Sequence, residues 1–175
     1  MDQKKLKKIN YELVDTFLSA GKLSLELRRM GLKKEIKDDQ TPVTNGDLEV
    51  DKILTEKITN LTPEIPIVSE ESSKNKLNTK LKNFWLIDPI DGTYDYINNG
   101  DEFTLNAGLI INNKAIMGII YAPAKDRLFY SYGKDFSFEF SDKKEKKIQY
   151  EKKTPGDQDI TLHISVYIKR TRHIK

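Results

Sequence analysis

The chain has 175 residues, the length of one ordinary domain, and 37% of its residues are hydrophobic while 33% are charged. That composition excludes a collagen-like repeat, a glycine linker and a disulfide-rich scaffold, and the absence of cysteine excludes thiolate nucleophiles and thiolate metal sites. The net charge of +3 divides into +5 over residues 1–37, −8 over residues 38–111 and +6 over residues 112–175.

The basic ends do not predict a nucleic-acid-binding protein. Their lysines are scattered or mixed with acidic residues, and no aromatic platform for bases is interleaved with them. The N-terminal lysines precede no apolar leader stretch, and no apolar run is long enough to span a bilayer. We therefore expect a cytoplasmic protein without a transmembrane segment, while peripheral association with a membrane stays open.

The first half of the chain has two helical patterns. Apolar residues at helical spacing from Lys4 to Met30 predict one long amphipathic helix, which the following glycine ends. The polar stretch 33–40 predicts a loop. Thr44 and Asp47 have the spacing of a capping box, so a second helix is expected to begin there and to end before Pro63.

The remainder has the short apolar runs that are typical of buried strands. The predicted strands are Ile65–Val68, Phe84–Ile87, Thr104–Ile111, Lys114–Tyr121 and Arg127–Tyr132. A tight turn is expected at Asn112-Asn113, and residues 141–153, dense in Lys and Glu, predict a solvated turn or an edge strand. Two helices followed by consecutive strands predict an α+β protein with the helices packed on a mainly antiparallel sheet.

One apolar strand runs directly into the sequence Asp88-Pro89-Ile90-Asp91. We expect Pro89 to fix a turn across which the carboxylates of Asp88 and Asp91 converge, with the carbonyl of Ile90 facing the same point. Oxygen ligands of this kind suit Mg²⁺, which shares its coordination shell with water and substrate phosphates.

Gly92 and Thr93 follow this turn, and their amides are expected to lie at the start of a helical turn over residues 94–98. Helix starts bind phosphate, so these amides are candidates for a phosphate site. The alternative interpretation is an ordinary turn rich in aspartate, in which Asp88 and Asp91 only accept local backbone hydrogen bonds.

Further acids flank this motif in the sequence. Glu70 and Glu71 follow the predicted strand at residues 65–68, and pairing with the next strand would bring them beside Asp88. The alternative is solvation at the surface, which we favour for Glu71 alone. For Asp47 the capping box is a sufficient explanation, and a functional role is an equal alternative. Aromatic residues interpreted as packing or pocket wall are Tyr94, Tyr96, Tyr121, Phe129 and Tyr130.

Four motifs in this order resemble the inositol monophosphatase superfamily, and most nearly its branch of CysQ-type 3'(2'),5'-bisphosphate nucleotidases. The motifs are Thr41–Thr44 with Asp47, Ile67–Glu71, Trp85–Thr93 and Tyr121–Pro123. The resemblance covers roughly residues 5–135. It implies the N-terminal half of a layered αβαβα sugar-phosphatase fold.

The resemblance also implies a lithium-sensitive, Mg²⁺-dependent phosphomonoesterase that removes the 3'-phosphate of adenosine 3',5'-bisphosphate in sulfur assimilation, with two or three metal ions. Its substrate is a small phosphorylated molecule, a nucleotide bisphosphate or a sugar or inositol phosphate. The implied first-metal ligands are Glu70, Asp88 and the Ile90 carbonyl, and the implied second-metal ligands are Asp88 and Asp91. The resemblance further implies that Glu70 and Thr93 position and activate the attacking water and that Asp47 supports a further metal or the Thr93 hydroxyl. The Gly92 and Thr93 amides are implied to receive the phosphate.

The chain departs from the family pattern after the predicted strands. Members carry a second domain with a W-D-x-A-A-G-like block whose Asp completes the second metal site, whereas here Trp85 is the only tryptophan and no acid follows Asp159. We expect a truncated or frameshifted member, with a metal-binding domain at residues 1–140 and an aberrant tail at 141–175. Such a chain is expected to have a weakened second Mg²⁺ site, low turnover and an exposed sheet face that allows a homodimer.

Two alternatives to the nucleotidase remain open. One is an inositol monophosphatase activity, because Tyr94-Asp95-Tyr96 departs from the Lys-Glu-Phe of the nucleotidase branch. The other is a noncatalytic fragment that binds metal or phosphate.

Overall fold

The computed structural model describes residues 1–37, 40–71, 80–133 and 135–148. The helices in these residues are α1 (Gln3–Met30), α2 (Asn45–Leu61) and the short α3 (Thr93–Ile97), with one 3-10 turn at Pro123–Lys125. The strands are β1 (Lys34–Ile36), β2 (Pro42–Thr44), β3 (Ile67–Ser69), β4 (Phe84–Asp91), β5 (Thr104–Ile111), β6 (Lys114–Ala122), β7 (Arg127–Tyr132), β8 (Ser137–Ser141) and β9 (Lys144–Lys147).

Strands β3 to β9 form one sheet in which spatial order follows chain order. The pair β3–β4 is parallel and every later pair is antiparallel, so hairpins connect the strands from β4 onward apart from the α3 segment. Strands β1 and β2 form a separate antiparallel hairpin. The predicted α+β class with a mainly antiparallel sheet is confirmed.

Both long helices pack on the main sheet and on each other. α1 contacts β6 and β7, and α2 contacts β4. Phe17 of α1, Leu54 of α2 and Trp85 of β4 are fully buried, and each such side chain contributes about 1.5–3 kcal/mol through the apolar surface that it removes from water. Trp85 also donates from Nε1 to Thr62 Oγ1 over 2.9 Å, which satisfies its one polar group in the core.

The helix ends are fixed by the residues that the sequence indicated. Gly31 follows α1 with a φ of 96°, a left-handed conformation that glycine adopts at low cost. Thr44 and Asp47 form the predicted capping box at the start of α2.

In the described part of the chain, no helix is both long enough and apolar enough to cross a membrane.

Two local predictions are wrong. The stretch 33–40 contains β1, whose three residues are all exposed, so no apolar pattern marks it as a strand. Pro89 lies inside β4 rather than at a turn, because β4 continues to Asp91 with a shift of register between Asp88 and Asp91. Such a bulge tolerates a proline that cannot donate to the ladder.

The basic segment after residue 140 continues the sheet. β9 pairs with β8 at the edge, which confirms the edge strand for residues 144–147. Residues 149–175, which hold most of the expected aberrant tail, lie outside the described residues.

Candidate active site

The parallel pairing of β3 and β4 brings two acids from distant parts of the sequence together. Ser69 lies opposite Ile87 in the register, and the backbone N–H of Glu70 donates to the carbonyl of Ile87 over 3.1 Å. The next residue of each strand is therefore an acid, Glu70 on one and Asp88 on the other. Their side chains share a hydrogen bond, as the predicted strand pairing required.

Asp88 is the most perturbed acid of this group. It is only 8% exposed, and its Oδ1 is buried without a hydrogen-bond partner. Burial, followed by the charges of Glu70 and Asp91, raises the pKa of Asp88 to about 8. A carboxylate is stable in such surroundings only with a proton or a cation beside it.

Asp91 ends β4 on the exposed side of the bulge. It acts on Asp88 through its charge, and its Oδ2 accepts a hydrogen bond of 3.5 Å from Nδ2 of Asn106. The structure thus brings Glu70 and Asp88 into contact with Asp91 nearby. In the described segments, however, no three Asp, Glu or His side chains stand at the spacing that would hold a metal ion.

Asp47 is both a helix cap and a neighbour of the motif that follows β4. Its side chain is 1% exposed, and its Oδ2 accepts from the backbone N–H of Thr44 over 2.8 Å. Its Oδ1 accepts from the hydroxyl of Thr93 over 3.4 Å. Burial raises the pKa of Asp47 even though these hydrogen bonds oppose the rise. The structural and functional readings of Asp47 are therefore compatible.

Thr93 connects the remaining predicted residues. Its hydroxyl lies 3.1 Å from the carbonyl oxygen of Ile90, so it stands between that carbonyl and Asp47. Gly92, just before it, has a φ of 91°, and a Cβ there would lie 2.6 Å from the carbonyl oxygen of Glu102. Only glycine fits this position, and it sets the direction in which α3 begins.

The aromatic residues around α3 fall into two groups. Tyr96 is fully buried, donates its hydroxyl hydrogen to the carbonyl of Ser24 over 2.7 Å and packs on Phe103 at 4.9 Å between ring centroids. Tyr121 and Tyr130 are also buried, which agrees with the packing role predicted for them. Tyr94 is 76% exposed and does not pack in the core, because it lies on the side of α3 opposite Tyr96, so of the two predicted roles only that of pocket wall stays a prediction for it.

Glu71 is not solvated at the surface, which corrects the preferred interpretation of this residue. Its side chain is only 6% exposed and forms an ion pair of 2.6 Å with Lys37 at the end of the β1–β2 hairpin. Burial raises the pKa of Glu71, and Lys37 opposes the rise. The pair ties the hairpin to the end of β3.

Sequence reasoning missed two residues of the site. Lys37 lies in a stretch that was predicted to be a loop. It differs from the other lysines of that stretch in its ion pair with the buried side chain of Glu71, which is far away in the sequence. Asn106 lies on β5 directly opposite Asp88, and its Oδ1 is buried without a partner. The only sequence feature that marks Asn106 is that it is a polar residue inside a mostly apolar strand.

The donor set of this site fits a hard divalent cation. It consists of carboxylates, a backbone carbonyl and an amide oxygen, and at least two of these oxygens are buried without partners. Magnesium and calcium take oxygen ligands of these types. The same arrangement provides a hydroxyl and backbone amides next to the acids, as a phosphate-ester site requires.

Comparisons with known proteins point in the same direction. A model of the inositol monophosphatase family matches residues 2–174. The chain is 38% identical over 114 residues to the 3'(2'),5'-bisphosphate nucleotidase CysQ of Haemophilus influenzae, which covers 64% of this chain and 42% of that protein. The chain therefore spans less than half the length of this curated relative.

Solved structures share the fold. CysQ from Bacteroides thetaiotaomicron gives a TM-score of 0.59 at 25% identity, covering 85% of this chain and 53% of that chain. An IMPase/NADP phosphatase complexed with Mg²⁺ and phosphate gives a TM-score of 0.67 at 19% identity, covering 77% of this chain and 51% of that chain. At that second identity the likeness concerns the fold alone.

Proposed function

Since the chain belongs to the inositol monophosphatase family, we propose that it is a metal-dependent phosphomonoesterase of the 3'(2'),5'-bisphosphate nucleotidase type. Its proposed reaction converts adenosine 3',5'-bisphosphate and water to AMP and phosphate. The observation that carries the proposal is the contact of half-buried Glu70 with buried Asp88, whose Oδ1 has no hydrogen-bond partner. Identity to a CysQ nucleotidase supports this branch of the family.

Glu70, Asp88 and the carbonyl of Ile90 are the residues that would hold a first Mg²⁺, and Asp88 with Asp91 would hold a second. The bound cation would stabilise the negative charge that develops on the phosphate oxygens. The second set is the weaker one, because Asp91 is exposed and stands apart from the Glu70–Asp88 contact.

The chain's own groups would handle the water and the phosphate. We assign the position of the attacking water to Glu70 and the Thr93 hydroxyl, which is already oriented by Asp47 and the Ile90 carbonyl. Water would attack phosphorus and pass a proton to Glu70, and the ester oxygen would leave with the electron pair of the broken P–O bond and take up a proton from solvent to become the hydroxyl of AMP. The amides of Gly92 and Thr93 are the groups proposed to receive the phosphate.

The two proposed metal sites differ in their surroundings. Asp88 is 8% exposed beside Glu70, whereas Asp91 lies exposed at the end of β4. We therefore propose that the first metal site binds its ion more tightly than the second.

The exposed ring of Tyr94 is a candidate contact for a nucleotide base. Tyr94 follows Thr93 directly on α3 and is 76% exposed. An exposed aromatic side chain can stack on a base, whereas a polyol offers no flat face to it.

A phosphate-release assay with Mg²⁺ tests the proposal on adenosine 3',5'-bisphosphate and on inositol 1-phosphate. We expect release of phosphate from the nucleotide, inhibition by LiCl and loss of release in Asp88→Asn. Tyr94→Ala is expected to weaken the nucleotide activity by about tenfold and to leave release from inositol 1-phosphate unchanged. Activity that persists in Asp88→Asn would contradict the assignment, and faster release from inositol 1-phosphate would favour the inositol monophosphatase alternative.

A noncatalytic metal- or phosphate-binding role is the second candidate. It is favoured over catalysis by the spacing of Glu70, Asp88 and Asp91, which do not form a complete three-acid metal centre in the described segments. Calorimetry with Mg²⁺ and adenosine 3',5'-bisphosphate separates the two, because binding without any phosphate release supports the second.

A further inference from the structure

The side chain of Asn106 links the two acidic positions of β4. Asn106 lies directly across the ladder from Asp88, and directly opposed residues on antiparallel strands present their side chains to the same face. Its Nδ2 donates a hydrogen bond of 3.5 Å to Oδ2 of Asp91, on the far side of the bulge. One amide therefore lies beside the first carboxylate and is bonded to the second.

The oxygen atoms at this place are poorly satisfied. Oδ1 of Asp88 and Oδ1 of Asn106 are both buried without a hydrogen-bond partner. A buried acceptor without a donor carries its full desolvation penalty, so each of these two oxygens has such a cost. A cation between or beside them would relieve both costs, and oxygen donors select a hard one.

We propose that Asn106 is a positioning residue of the metal centre. Its amide nitrogen holds the carboxylate of Asp91, and its carbonyl oxygen stands beside Asp88 as a neutral donor toward a divalent ion. The inference rests on the proposed function, because that function supplies the divalent ion. The uncharged side chain adds an oxygen without adding another negative charge to an acidic group that already repels itself.

Mn²⁺ binding to the full chain tests this assignment, with free Mn²⁺ measured by electron paramagnetic resonance and without substrate. Asn106→Leu removes both polar atoms at similar size and is expected to weaken Mn²⁺ binding by about tenfold or more. Asn106→Asp keeps an oxygen but loses the amide nitrogen that bonds to Asp91 and adds a negative charge, so it is expected to bind Mn²⁺ more weakly than the wild type. Ile120→Val is the matched control, because Ile120 is the residue opposite Asn106 on β6 and has no polar side-chain atom.

A purely structural role of Asn106 would lower the melting temperature of Asn106→Leu without changing its Mn²⁺ affinity, and this result would overturn the inference. If Asn106→Leu does not fold, Mn²⁺ binding by Asn106→Asp that is as tight as in the wild type would overturn it instead. A wild-type chain that binds no Mn²⁺ would overturn both this inference and the proposed function. A wild-type chain that binds Mn²⁺ but releases no phosphate would overturn the function alone.

Discussion

Replacing Lys37 by methionine is expected to destabilise the protein far more than a lysine substitution in an exposed ion pair. Lys37 and Glu71 are 2.6 Å apart, and their side chains are 22% and 6% exposed. Methionine keeps the length and the apolar stem of the lysine but leaves the Glu71 carboxylate buried without its cation. The charges of Asp47 and Glu70 already disfavour the ionised form of Glu71, so the unpaired carboxylate is costly.

Breaking a fully buried ion pair costs about 3–5 kcal/mol, and the partial exposure of Lys37 reduces the expected loss here to about 2–3 kcal/mol. Lys5→Met provides the matched control, because Lys5 and Glu64 form a pair of 3.3 Å whose side chains are 49% and 57% exposed. An exposed pair of this kind contributes about 0–1 kcal/mol. Urea unfolding at neutral pH measures both differences in the free energy of unfolding.

The double variant Lys37→Met/Glu71→Gln shows whether the loss of stability in Lys37→Met comes from the unpaired Glu71 charge or from general damage to the β1–β2 hairpin. Because it buries no unpaired charge, it is expected to regain most of the stability that Lys37→Met loses. The reasoning is refuted if Lys37→Met costs no more than Lys5→Met, or if the double variant is less stable than Lys37→Met.

Three further predictions concern the core. Asn10→Leu should raise the free energy of unfolding by about 1–3 kcal/mol, since both polar side-chain atoms of Asn10 are buried without partners. A loss of stability, or an equal gain in the exposed control Asn60→Leu, would contradict this prediction. Gly21→Ala should lower the melting temperature, with a cost of about 1–3 kcal/mol, because its Cβ would lie 2.2 Å from the ring of Tyr121; an unchanged melting curve would count against that packing. Burial and the charge of Asp126 raise the pKa of Tyr121 from 10.0 to about 12, so the folded state holds this proton more tightly and stability should fall as pH rises through that interval. Tyr121→Phe should show a shallower alkaline fall in urea midpoints, and identical slopes would argue against the assignment.

Much of the fold follows from periodicity in the sequence. The helical spacing of apolar residues gave α1 and α2, and the alternating or apolar runs gave the strands from β4 to β7. These elements bury a face against the same core, so their patterns are long and regular. β1 has no such pattern, because its residues are exposed and only backbone hydrogen bonds to β2 hold it.

The candidate site was predictable where chemistry is local and less so where it depends on distant contacts. Asp88 and Asp91 belong to one short motif, and the pairing of β3 with β4 brings Glu70 to Asp88 as expected. The burial of Glu71 depends on Lys37, which is far away in the sequence. Asn106 was missed because an isolated amide in a strand has no distinctive spacing from the acids that it contacts.

Pro89 shows how tertiary pairing can override local turn chemistry. Its neighbours in sequence are typical of a turn, yet β5 pairs with Asp88 before Pro89 and with Asp91 after it and so holds these residues in an extended strand. The bulge between Asp88 and Asp91 absorbs the missing amide donor. The motif therefore presents its acids from a strand and not from a bend.

The most direct test of the account is calorimetric titration of Mg²⁺ into the full chain, its Asp88→Asn variant and the exposed control Asp15→Asn. The account predicts that the wild type and the control bind the ion, with at least one site, and that Asp88→Asn loses the tightest site. Equal binding by Asp88→Asn, or the absence of any binding by the wild type, would contradict the claim that Glu70 and Asp88 form a metal centre.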